Sequence, residues 1–313
     1  MGDALNRRFV IVAGKGGVGR TTVAAALGLA ALRQGKNVLI AMCHVKEQLS
    51  AMLGVPAIGT TVQTVLSGLD AVNMYPETAL KEYGQLKLKI PLLYRAVFEN
   101  KTVMAFLRAT PGIDAWSMLG KACYHAMQTN RAHKPVYELV ILDAPATGHC
   151  LDMLRVPRVL TEIAPAGLLR KDAEAAWQLL QDSRRTAAVV VSWPEEMPIN
   201  EAIELQRTLR GELKIDVSDL IVNGVMAELF QAEERASFSQ ISQQAVASSA
   251  WCLFQSAHRR SLRETEQEEL LRTLQASVPA PISHLPRLAS SVLGRTDIEM
   301  LSTCFNQNTL ANK

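Results

Sequence analysis

The chain has 313 residues, 48% hydrophobic and 20% charged, with a formal net charge of +3. That composition is globular and excludes a disordered chain, and the near-neutral balance gives no basis for nucleic acid or an anionic membrane as a partner. Five scattered cysteines, with no C-x-x-C pair among them, exclude a disulfide framework and a zinc clamp.

Residues 1–6 lack an apolar signal-peptide core, and Asn6 stands where a myristoylation signal needs Ser or Thr. No apolar run approaches the ~18 residues of a membrane span. A cytosolic protein without direct membrane binding is therefore expected. The first apolar run, Phe9 to Ala13, is continuous rather than alternating, as a strand buried on both faces must be. It leads into Gly14-Lys15-Gly16-Gly17-Val18-Gly19-Arg20-Thr21-Thr22, and a helical pattern from Val23 to Arg33 follows. Strand, glycine-rich turn and helix in that order read as a phosphate-binding loop. Gly14, Gly16, Gly17 and Gly19, with Val18 between them, let backbone N–H groups curl around phosphate oxygens, and the helix N-terminus adds its positive end. Thr21 is placed to ligate Mg²⁺ through its hydroxyl, and Thr22 to hold an inner phosphate. Arg20 occupies the position before the threonine pair, where a lysine normally lies across the β- and γ-phosphates. Arginine keeps the charge on a bulkier planar fork. Nucleotide binding should survive that change better than the geometry of phosphoryl transfer.

A second strand is expected over 37–41. From 45 to 135 the sequence then reads as helices only, with apolar residues at helical spacing through Leu86, Ile90, Leu93, Val97, Phe106 and Leu107. That is longer than one crossover needs and predicts an inserted helical subdomain. The third run, Leu139 to Leu142, ends on Asp143. Thr186 to Val191, Leu220 to Val222 and Pro281-Ile282 supply further strands, with a second helical excursion over 227–277. Alternating strands and helices predict an α/β protein: one doubly wound, mostly parallel sheet in a single P-loop domain over 1–313.

The segment Asp143-Ala144-Pro145-Ala146-Thr147-Gly148-His149 resembles switch two of the arsenite-pump and tail-anchored-protein-targeting ATPases, which are deviant-Walker P-loop proteins of the SIMIBI type. Ser192 to Ala202 is similar to that family's next strand-to-helix turn. Asn223-Gly224 stands where the family reads adenine, and Leu285-Pro286-Arg287-Leu288, followed by Gly294, Asp297, Ile298 and Glu299, resembles the loop and helix that close over the base. The matches run in order through most of the chain. MinD and ParA proteins share the phosphate loop but lack Thr-Gly-His and an insertion this long. The resemblance implies ATP or ADP with Mg²⁺ as cofactors, ligated through Thr21 and Asp143. It implies Asn223, Pro286 and Arg287 around adenine, Gly148 near the γ-phosphate, and His149 reporting its presence. It also makes Lys15 the signature lysine, which reaches the phosphates of a neighbouring subunit in a dimer that moves helical subdomains for a client protein. An amide suits the adenine edge because it both donates and accepts. Asn-Gly is also a common turn, and His149 also reads as a packed surface imidazole.

The resemblance breaks after the second strand. There the family has Asp-Pro-Ala, whose Asp activates the attacking water; here Met42-Cys43-His44-Val45-Lys46 puts His44 in that place. A neutral imidazole lacks a carboxylate's charge and reach, and a charged one would repel Mg²⁺. Catalysis would turn on Lys15, Arg20, His44 and Asp143, and two of these four depart from the pattern on the hydrolytic side. The chain is therefore expected to be the degenerate half of a heterodimer with an active paralogue. A homodimeric ATPase and a nucleotide-gated, chaperone-like scaffold without turnover stand as alternatives. Cys123 and Cys150 read as buried inert thiols rather than metal ligands.

Overall fold

Continuous apolar runs in this chain become strands buried on both faces. In the computed structural model, which describes residues 3–43, 46–87, 112–164, 166–241, 251–290 and 292–305, β1 (Phe9–Gly14), β2 (Val38–Cys43), β5 (Leu139–Asp143) and β6 (Thr186–Ser192) are buried at every position. With β3 (Gln63–Leu66), β4 (Leu69–Met74), β7 (Val217–Val225) and β8 (Ile282–Pro286) they form one eight-stranded sheet, ordered β3-β4-β2-β5-β1-β6-β7-β8. Every neighbouring pair is parallel except the β3–β4 hairpin. The fold is the doubly wound, mostly parallel α/β sheet expected of a P-loop protein.

Helices cover both faces, because alternate residues of each buried strand serve opposite layers. α1 (Arg20–Arg33), α2 (Leu49–Leu53) and α10 (Arg295–Thr303) close over Val10, Val12, Ile40 and Ile141. On the other face α4 (Ile113–Met127), α5 (Thr147–Ile163), α6 (Leu168–Gln181) and α7 (Glu196–Gly211) close over Phe9, Ile11, Leu39 and Val140. The register levels the strand ends: Val12 pairs with Asp143, Gly14 with Val191, Ser192 with Val222, and Val225 with Pro286. The phosphate loop, Asp143, Asn223 and Pro286 thus emerge along one edge. In such sheets that edge is where ligands bind, where the strand order reverses about β1.

The reading of 45–135 as helices only is corrected. After α2 the chain forms the β3–β4 hairpin, and β4 extends the sheet by pairing in parallel with β2, from Val38↔Leu69 to Cys43↔Met74. Two polar side chains hid this strand. Asp70 accepts hydrogen bonds from Thr64 and Tyr137, each at 2.7 Å. Asn73 is buried in the sheet, and its backbone N–H donates to the Gly59 carbonyl. Gly68, at φ +82°, makes the tight turn between the strands. Helices resume with α3 (Pro76–Lys87), which packs on α4. Leu86 falls within α3, while Ile90, Leu93, Val97, Phe106 and Leu107 lie outside the described residues. The second excursion comprises α8 (Ala232–Ile241) and α9 (Trp251–Ser277). Among the described residues no helix is long and apolar enough to cross a membrane.

Candidate nucleotide site

β1 ends on Gly14, and α1 starts at Arg20 with Gly19 as its N-cap in the left-handed region, φ +88°. No side chain caps α1, so its first-turn amides remain available to an anion. Gly19 has a second reason to be glycine: a Cβ there would come within 2.2 Å of Asn223 Nδ2. By contrast, a Cβ on Gly16 or Gly17 would meet no described atom within 4 Å. The crest of the loop is open while its base is packed, the shape a phosphate cradle requires.

Below the loop, Thr21 Oγ1 donates to Asp143 Oδ2 at 2.6 Å. Asp143 closes β5 and is 1% exposed. Burial raises its pKa from the ordinary 3.8 to about 6, against the downward pull of the Thr21 hydrogen bond and the Arg20 charge. A carboxylate this deep gains from any added cation. A hydroxyl and a carboxylate in contact at a phosphate loop form the all-oxygen donor set that Mg²⁺ prefers. The donor chemistry fits the metal.

The two loop cations have partners of their own. Arg20 Nη1 donates to the Ala144 carbonyl at 2.5 Å, tying the loop to the turn after Asp143. Lys15 Nζ lies 2.7 Å from Glu201 Oε1 on α7. Beside that pair a cleft of 310 Å³ is lined by Lys15, Gly16, Gly17, Trp193, Glu195 and Met197 among others. In the sequence, Glu201 falls within the Ser192 to Ala202 match and carries no signal of its own. No spacing rule pairs a loop lysine with a helix carboxylate 186 residues on.

At the neighbouring strand ends, Asn223 is buried and its Nδ2 donates to the Val18 carbonyl at 3.0 Å. It therefore braces the phosphate loop, whatever else its amide does. Gly224 (φ +75°) lies so close beneath Trp193 that a Cβ would reach 2.1 Å from the indole Cη2. Pro286 pairs with Val225, and the Arg287 N–H donates to the Val225 carbonyl at 2.8 Å, leaving the Arg287 side chain exposed. Gln267 and Glu264 of α9 hold the loop after β7, and sequence reasoning missed both. Gln267 accepts from the Met226 N–H and donates to its carbonyl, at 2.9 and 3.1 Å. Glu264 accepts from the Leu229 and Phe230 amides and from Arg260. Burial pushes its pKa up, but those donors prevail and hold it below the ordinary value.

In the turn after Asp143, Gly148 and His149 are exposed on the first turn of α5. The Thr147 hydroxyl oxygen is buried with no hydrogen-bond partner among the described residues. His44 lies outside the described residues. Thr22 is buried under the loop. The thiols nearby are inert: burial pushes Cys150 up to about 12 and Cys43 well above its ordinary value, and Cys123, farther off, also to about 12.

A profile of the anion-transporting ATPase family matches residues 7–166 and 168–279. Among similar proteins, ATPase BagA of Mycobacterium tuberculosis is 27% identical over 221 residues, covering 69% of this chain and 64% of that protein. An arsenical pump-driving ATPase of Acidiphilium multivorum is 23% identical over 294 residues, covering 89% of this chain and 45% of that one. The ATPase ASNA1 homolog 2 of Paramecium tetraurelia is 23% identical over 258 residues, covering 70% and 76%. The match thus spans under two thirds of the mycobacterial relative and under half of the arsenical pump ATPase.

Proposed function

This chain belongs to the anion-transporting ATPase family, and we propose that it is a Mg²⁺-dependent ATP- or ADP-binding subunit that turns nucleotide over poorly by itself. The observation that carries the binding half is the Thr21–Asp143 contact of 2.6 Å beneath an open glycine loop. Thr21 and Asp143 would hold Mg²⁺, which supplies positive charge to the β- and γ-phosphate oxygens. Backbone amides of 16–21 receive the phosphates, Thr22 supports an inner one, and Asn223 keeps the loop in shape through Val18. The base would rest between Asn223, Pro286 and Arg287.

The poor-turnover half rests on Arg20 and His44. Arg20 places one of its five N–H donors on the Ala144 carbonyl, which tethers its planar fork to the turn after Asp143 and limits how closely it can follow charge developing on a γ-phosphoryl group. His44 replaces the family's water-activating carboxylate. We read the chain as the degenerate half of a heterodimer, lending Lys15 to an active paralogue and coupling nucleotide state to movement of its helical subdomain for a client protein. A scaffold that binds nucleotide without turnover draws on the same Arg20 contact and differs in having no active partner. Calorimetric titration with Mg-ADP, and with ADP in excess chelator, tests the reading. Binding that depends on the metal is expected, and no heat of binding in either titration would refute it. Co-purification of a paralogue carrying Lys and Asp at the two altered positions separates heterodimer from scaffold.

A further inference from the structure

Lys15 is poised at the open crest of the loop, yet its ammonium is taken by Glu201 at 2.7 Å. The two side chains are 27% and 35% exposed, so no buried charge forces them together. The pair is a solvent-accessible bond between a loop and the second turn of α7. Lysine is a compact charge on a flexible stem, able to leave one anion for another without moving the backbone. The cleft beside it reaches from Lys15 and Gly16 to Glu195 and Met197, giving the ammonium room to swing. A nucleotide's terminal phosphate carries more negative charge than one carboxylate, so it can win the competition.

We propose that Glu201 is a latch. It is a positioning residue that holds Lys15 against its own chain until a nucleotide phosphate takes the ammonium, in the same subunit or across a dimer seam. The proposal rests on the nucleotide-binding reading above and adds to it a residue outside the loop motif. Because the pair is partly exposed to solvent, breaking it costs little, and the effect on binding is correspondingly small, about two- to five-fold.

The test is a double-mutant cycle on the full chain, read by Mg-ATP calorimetry and by sedimentation with and without Mg-ATP. Glu201→Gln is expected to tighten Mg-ATP binding, or nucleotide-dependent association, about two- to five-fold. Glu201→Asp, which keeps the charge but shortens the reach, should move the same way. In the Lys15→Ala background neither change should have an effect. Thermal melts matching the unaltered chain show that the variants fold, and where Glu201→Gln does not fold, Glu201→Asp carries the test. Equal tightening with and without Lys15 would mean a general field effect and overturn the latch. Weakening would mean that Glu201 aims Lys15 at the phosphate, and no change would mean the contact is idle; either overturns it. Absence of Mg-ATP binding by the unaltered chain would instead bring down the underlying reading, and the latch with it.

Discussion

On the oxygen side of the phosphate loop, the Thr21 hydroxyl donates to Asp143 at 2.6 Å, so a cation that takes both oxygens as ligands replaces that one hydrogen bond as their link. On the cation side, Arg20 holds the Ala144 carbonyl and Lys15 holds Glu201, so each positive charge already has a partner in the chain. The contrast lies in preparation. The two oxygens that would take a metal are already neighbours and exchange only the hydrogen bond between them, whereas the loop cations must leave partners on other elements of the chain. An arrangement of this kind favours holding nucleotide over consuming it, since catalysis depends on charges placed where charge develops.

The sharpest way to break the comparison is to restore the two residues that depart from the family pattern, one of them on the cation side. Arg20→Lys combined with His44→Asp should raise steady-state ATP hydrolysis by roughly 10²–10³-fold, the usual weight of a lost transition-state contact. Equal rates for the double variant and the unaltered chain, with the latter already turning over rapidly, would end the degenerate-subunit reading.

Stability probes the oxygen side. The Asp143 pKa stands raised, so the folded chain favours the protonated acid. This group's stabilising contribution is complete below the ordinary 3.8 and is lost as pH rises through about 6. At neutral pH the ionised carboxylate of the ligand-free chain is a load of about 3 kcal/mol at most. Asp143→Asn should therefore raise the melting temperature at pH 7.5 and leave it nearly unchanged at pH 4, while Mg²⁺-dependent nucleotide binding disappears. For the unaltered chain, that binding should weaken below about pH 6, as protons compete with the metal. A variant less stable at pH 7.5, or metal-dependent binding unaffected between pH 5 and pH 7.5, would contradict this account of the buried carboxylate.

A smaller effect is expected from Thr21→Ala. Removing a hydroxyl ligand should cost at least the roughly 10–100-fold that even outer partners of a metal site are worth, seen only in the presence of Mg²⁺. An equal loss in chelator would mean that the substitution damages the loop rather than the metal site.

How much of this was legible beforehand depends on how locally each feature is encoded. β1, β2, β5 and β6 were readable because strands buried on both faces need unbroken apolar runs. β4 was not, because Asp70 and Asn73 interrupt Leu69–Met74 and their partners, Thr64, Tyr137 and the Gly59 carbonyl, come from other segments. The phosphate loop could be named from its spacing and Asp143 from the resemblance of the segment that follows it, and the structure brings Thr21 and Asp143 together. Three relations were invisible. Arg20's partner is a backbone carbonyl, which no residue type announces. Glu201 is one carboxylate among several on a polar helix. Asn223, expected at the adenine, also supports Val18, a contact that depends on the register of β1, β6 and β7.

The most direct measurement is a structure of the chain with Mg-ADP. The account predicts Mg²⁺ at about 2.0–2.1 Å from Thr21 Oγ1, with Asp143 ligating it directly or through a water, and Arg20 Nη1 still on the Ala144 carbonyl. Arg20 swung onto the phosphates with Ala144 released, and the metal held away from both Thr21 and Asp143, would contradict it.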